Sequence, residues 1–254
     1  MIRLIRAEIR KLRTTRLWLW VLLACTAWTA GYTALAIGFS ARHGSLSPPL
    51  ASAAGQHALL GIGAGVAGPL AALLGAVGVT GEYRHRTAAA TFLATPARGR
   101  VITAKLLTYL LAGAAYGLAC DAVGLAVAVP WLSARGIHAP VTGHGNLGVL
   151  AAVIASGALF ALAGAGLGAL AVGQLATVTG LLLFLFVAEP ALTHITAWHA
   201  WTPYLPGVAA DGLTRAAQDG VTLLPPWLGG LVLAGWAAAL AAAGMLRTRR
   251  RDIT

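Results

Sequence analysis

Few side chains in this sequence can do chemistry, and they stand far apart. Asp121 lies midway along one apolar run, and Glu189 precedes Pro190 at the end of another. A central Asp in hydrocarbon costs about 2.5–3.5 kcal/mol on the insertion scale, which the neighbouring Leu and Val offset. Asp121 then reads either as a pathway-lining or gating residue, or as a group held by a structural hydrogen bond or protonated in place. Glu189 reads either as a residue snorkelling to the interface, with Pro190 ending its helix, or as a substrate contact. Ser156-Gly157 is faintly like an intramembrane protease nucleophile, but no His lies in the apolar runs to act as its base. His194 and His199 are five apart, off a common helical face, and read as solvated loop residues rather than zinc ligands. A P-loop needs Gly-Lys-Ser/Thr so that Lys reaches the phosphates. Lys11 follows Arg10 and Lys105 follows Ala104, so neither lysine fits. The reading is no catalytic residue, no metal site, no cofactor in this chain, and no enzyme. Cys25 and Cys120 fall inside apolar runs and read as inert buried thiols.

The elements that position these residues follow from composition. The chain has 254 residues, 58% apolar and 10% charged, against about 25% charged in a soluble domain. Its solvent is therefore lipid. A span needs about 20 apolar residues to cross roughly 30 Å of hydrocarbon. Six runs qualify, at 17–39, 58–80, 106–132, 147–171, 176–192 and 227–246. The fold class is all-α and polytopic, with six transmembrane helices.

Charge orients the runs. Arg3, Arg6, Arg10, Lys11, Arg13, Arg16, Arg84, Arg86, Arg98, Arg100, Lys105, Arg247, Arg249, Arg250 and Arg251 fall on one side; Arg42, Arg135 and Arg215 fall on the other. The positive-inside rule puts the first group, and both termini, in the cytoplasm. The expected location is the cell membrane. Short basic blocks between apolar runs also argue against nucleic acid as a partner. Trp18 and Trp20 mark an inner end, and Trp131 and Trp227 mark outer ends.

Residues 1–16 precede the first run and are too Arg-rich for a signal peptide. Ile2, Ile5, Ile9 and Leu12 recur at helical spacing beside Arg3, Arg6, Arg10 and Arg13. That pattern predicts an amphipathic helix lying in the membrane interface, with its arginines on the headgroups. The remainder, 17–254, forms the six-span domain.

Between the second and third runs lies GEYRHRTAAATFLATPARGR, residues 81–100. Residues 82–94 contain no Gly or Pro and are expected to form about three helical turns. Pro96 should end them, and 97–100 should turn the chain. A loop that only satisfied the positive-inside rule could be shorter. The whole segment, 81–105, reads instead as a docking surface for a cytoplasmic partner.

The residues Glu82-Tyr83-Arg84, Thr87, Leu93-Ala94-Thr95-Pro96, Arg98, Arg100 and Ala104-Lys105 resemble the permease subunit of type-2 ABC exporters. The opening Glu8-Ile9-Arg10-Lys11 with Thr14, Thr15 and Arg16 is similar to that family's start. The resemblance extends over the topology of the whole chain. It implies that residues 82–94 are a coupling helix seated in a separate ATP-binding cassette subunit, which would hold ATP and Mg, and that Glu82, Tyr83, Arg84, Arg86, Thr87, Leu93 and Pro96 couple the chain to that subunit. It also implies a second permease copy or sibling, and an outer re-entrant segment at 193–226. There, 207–218 would form a short helix between proline turns. The implied function is export of a substrate that the sequence does not specify. The alternative is a membrane anchor or assembly protein that recruits a cytoplasmic partner through its basic loop, and a third reading is an ion-coupled carrier using Asp121. Three GxxxG patterns, Gly61–Gly65, Gly113–Gly117 and Gly164–Gly168, read as helix packing within the chain, or as a dimer seam.

Overall fold

The computed structural model describes residues 1–43, 49–84, 98–137, 143, 145–171, 173–195, 198–215 and 222–250. They form helices joined by turns. The helices are α1 (Ile2–Thr14), α2 (Leu17–His43), α3 (Ala53–Arg84), α4 (Arg98–Ala134), α5 (Asn146–Leu170), α6 (Gln174–Leu183), α7 (Glu189–Thr193), α8 (Pro206–Thr214) and α9 (Pro226–Arg250). Six helical segments are long and apolar enough to cross a membrane: Leu17–Ser40, Ala53–Glu82, Gly99–Ala134, Asn146–Leu170, Gln174–Thr193 and Pro226–Thr248. The chain is an all-α polytopic membrane protein.

Two local expectations are corrected. Pro190 does not end the fifth span, because a π turn over Phe184–Ala188 joins α6 to α7 and the helix runs on to Thr193. Proline lacks the donor that closes an α turn and crowds the carbonyl four residues back; the wider turn just before it accommodates both. Residues 98–100 are not a turn but the start of α4.

The centre of the bundle is α5, which packs on α3, α4 and α9. Its sequence explains that place. Gly157, Gly164, Gly166 and Gly168 give it faces without side chains, so neighbouring backbones come close. A Cβ on Gly157 would stand 2.5 Å from the Gly113 carbonyl oxygen of α4, and one on Gly168 would stand 2.8 Å from the Ala76 carbonyl oxygen of α3. Gly113–Gly117 and Gly164–Gly168 are thus seams within the chain. Gly61 faces Thr214 of α8, while nothing lies within 4 Å of where a Cβ on Gly65 would stand.

Cys25 and Cys120 are free and fully buried in the core cluster that joins α2 to α3 and α4. Leu175, Leu183, Phe186 and Val187 of the fifth span are exposed, and this is the least buried of the six spans. Exposed large apolar residues on its outer face are what a lipid-facing helix requires.

Candidate functional site

Two clusters of polar side chains stand at opposite ends of the bundle. At the end that carries α1, the helix presents Leu4, Ile5, Glu8 and Leu12 to the body of the protein, and Ile2 and Ile9 stay exposed. The expected apolar stripe is therefore divided: part of it packs on the protein, and part faces outward. Glu8 comes from this docked face, Glu82 from the last turns of α3, and Lys105 from the second turn of α4.

Lys105 Nζ donates to Glu8 Oε2 at 2.8 Å and to Glu82 Oε1 at 2.5 Å. Lys11 Nζ donates to Glu8 Oε1 at 2.7 Å and reaches Glu82 Oε1 at 3.2 Å. Each cation meets both carboxylates, and the Lys105 and Glu8 side chains are only 9% and 7% exposed. Burial by itself would raise the Glu8 carboxyl, but Lys105 and Lys11 more than offset it and hold it below the usual carboxylate value. Burial likewise works to lower Lys11, and Glu8 and Glu82 outweigh it, so Lys11 is raised.

Beside this knot, Arg84 Nη1 donates to Gln174 Oε1 at 3.3 Å and ties the end of α3 to the first residue of α6. Glu82, expected to meet a partner, thus spends its carboxylate inside the chain, and Arg84 is exposed. Of the other expected coupling residues, Arg86, Thr87, Leu93 and Pro96 lie outside the described residues, as does the side chain of Tyr83. So does most of the helix expected at 82–94; its first residues continue α3. Arg3, Arg6, Arg10 and Arg13 are all exposed on α1, as an interfacial helix needs.

The second cluster is at the far end, where the segment after α7 folds back onto the bundle. A short 3-10 turn, Thr202–Tyr204, leads into α8. Trp236 Nε1 of α9 donates to the Tyr204 carbonyl at 2.9 Å. Gly229 of α9 lets α8 come into backbone contact: a Cβ there would be 2.5 Å from the Ala209 carbonyl oxygen. The short helix expected at 207–218 is this one, closing at Thr214 with Arg215 in the left-handed region at φ 58°.

Glu189 supplies the fixing contact. Its Oε1 accepts from the Gly207 and Val208 backbone N–H groups, at 2.6 and 3.0 Å. A helix start leaves such donors unpaired, and a carboxylate there also meets the positive end of the helix dipole. Glu189 is only 4% exposed, so it does not snorkel.

Its other oxygen, Oε2, is buried with no hydrogen-bond partner among the described residues. Glu189 lines a cavity of about 650 Å3 together with Asp211, His194, His199 and Pro190. Asp211 escaped the sequence reading, because an Asp in a proline-rich outer loop looks solvated; burial, and then the charge of Glu189, push its carboxyl up to about 7. The two histidines do face a shared space, but no group of three metal-ligating side chains forms among the described residues.

A second cavity, of about 440 Å3, adjoins the first. It runs between α6 and the faces of α5 and α9, lined by Leu167, Leu181, Phe184, Leu233, Trp236 and Leu240 among others. Phe160 and Leu185 line both cavities.

Asp121 belongs to neither cavity lining. It is 6% exposed, and neither carboxylate oxygen has a hydrogen-bond partner among the described residues. No protein-family model matches the chain, and no curated protein matches it.

Proposed function

We propose that the chain is the membrane-spanning permease subunit of an ABC exporter, moving its substrate outward with ATP hydrolysed by a separate subunit. The observation that carries this reading is the ion-pair knot of Glu8, Lys11, Glu82 and Lys105. Glu82 and Lys105 belong to the two helices that flank residues 85–97, and Glu8 and Lys11 join α1 to both. A push on that loop would therefore arrive at three helices as one load.

The glycine seams between α3, α4 and α5 have little slack to absorb such a load. Close-packed interiors respond by rigid shifts rather than by smooth deformation. The shift would reach α8, which leans on α3, α5 and α9 at the opposite end. In this reading the basic loop is cytoplasmic, both termini are cytoplasmic, the membrane is the cell membrane, and a second permease completes the pathway. ATP and Mg would belong to the partner subunit.

The test is to isolate the tagged chain from its native membranes and assay the complex for ATP hydrolysis. The expected result is a co-isolated P-loop ATPase whose activity depends on the 85–97 loop. Isolation with other cytoplasmic proteins and no ATPase would support the anchor reading instead.

A further inference from the structure

We propose that the Glu189 cavity and the apolar crevice beside it form one binding site for a cationic amphiphile, with an ammonium head against Glu189 and a hydrocarbon tail along α5, α6 and α9. Four observations carry it. The first is the unpartnered Glu189 Oε2, which is buried in the protein while its twin oxygen is fully engaged with α8. A buried polar atom without a partner costs free energy unless something else supplies the bond. A donor-rich cation in the cavity would supply it.

The second is charge. Glu189 and Asp211 both line the cavity, and no Lys or Arg does so among the described residues. The third is shape: the polar cavity and the apolar crevice share Phe160 and Leu185 as walls, so a head in one can carry a tail in the other. At about 650 and 440 Å3, both fall within the roughly 300–1,000 Å3 typical of small-molecule sites. The fourth is the lean of the fifth span. The α6 helix packs on α3 and barely on α5, which leaves the crevice between them. Its lining is almost wholly hydrocarbon, and it suits an alkyl or aryl tail better than a sugar or a peptide backbone.

As a substrate class this inference rests on the permease reading; as a binding site it does not. The full chain, in nanodiscs of neutral phosphatidylcholine and without nucleotide, is exposed to a primary alkylammonium probe, whose head carries three N–H donors, with a photoreactive diazirine on its tail. Crosslinked peptides are then mapped by mass spectrometry. Labelling is expected at Leu181, Phe184, Leu233 and Trp236. Excess dodecylammonium should compete it away, and dodecyl sulfate should not. Adding phosphatidylethanolamine to the nanodiscs separates the sources: competition by it identifies a lipid amine headgroup, and its absence identifies a free amphiphile.

Glu189→Gln keeps an amide oxygen for the Gly207 and Val208 donors, so α8 stays capped, and the probe's affinity should fall about tenfold, the factor that accompanies about 1.4 kcal/mol. Asp211→Asn should weaken it in the same direction without touching the cap. Equal competition by the sulfate, or labelling confined to the lipid-facing residues Leu19, Leu23 and Leu35 of α2, would overturn the proposal. If labelling fails while an associated subunit still hydrolyses ATP, the permease reading stands and this inference falls.

Discussion

The two ends of the molecule use acidic residues in opposite ways. At the α1 end, Glu8 and Glu82 are paired with Lys11 and Lys105, and these four charges hold three helices together. At the α8 end, Glu189 offers one oxygen to the helix and leaves the other buried without a hydrogen-bond partner among the described residues, with Asp211 lining the same cavity and no lysine or arginine in that lining among the described residues. The first arrangement makes a rigid joint. The second makes a site that something positive can complete. On the proposed reading, mechanical work belongs to the first end and recognition to the second.

The sharpest way to break that contrast is Lys105→Met. It leaves Glu8 and Glu82 without their shared, buried cation. Loss of one partner from a buried pair costs about 3–5 kcal/mol, and thermal unfolding in detergent should report it. Adding Glu8→Gln should recover part of the loss, because fewer charges are then stranded.

Acid should mimic this variant. The Glu8 carboxyl is held below its ordinary value of 4.5 by the lysines, so its contribution is fully present above that value. It is lost as pH falls through the lowered folded value. Protection of α1 against proteolysis should persist at pH 6 and disappear only at strongly acid pH.

At the other end, Glu189→Ala removes the cap from α8 and should cost about 0.5–2 kcal/mol, the range for lost helix caps. Glu189→Gln should cost less, since the amide still accepts. If both variants unfolded the protein as severely as Lys105→Met, the outer carboxylate would be structural and the contrast would fail.

The Glu189 site should also respond to pH near neutrality. Asp211 has its carboxyl pushed up to about 7 by burial and by Glu189. It gains charge as pH rises through that value, so binding of the alkylammonium probe, which stays charged across this range, should strengthen from pH 6 to pH 8. His194 and His199 line the same cavity. The smallest effect belongs to Lys11→Ala. Its side chain is 44% exposed, and a solvent-screened pair contributes about 0–1 kcal/mol.

The spans were legible because lipid imposes a length and a composition on each of them separately. The six apolar runs can be counted without knowing what touches what. The ion pairs and cavities could not be found that way. Glu8 and Lys105 are 97 positions apart, and no local pattern links them.

Signals did exist. Glu8 is an acid among six basic residues, and Glu82 and Lys105 flank the same loop. The Glu189 cap spans 18 positions to Gly207 across a loop, so its meaning appears only when α8 folds back. Pro190 misled because the rule that proline stops a helix presumes an α ladder, and the π turn before it is not one. Asp211 had no signal at all, since only burial separates it from an ordinary loop aspartate.

The central claim is that a separate motor grips the 85–97 loop and moves the bundle through the joint at its roots. The most direct measurement is nucleotide hydrolysis by the complex isolated on the tagged chain, compared between wild type and Arg86→Glu. The account predicts an ATPase bound to the wild type and lost when the loop charge is reversed. A stably folded chain that carries no ATP-hydrolysing subunit from its native membrane would contradict it.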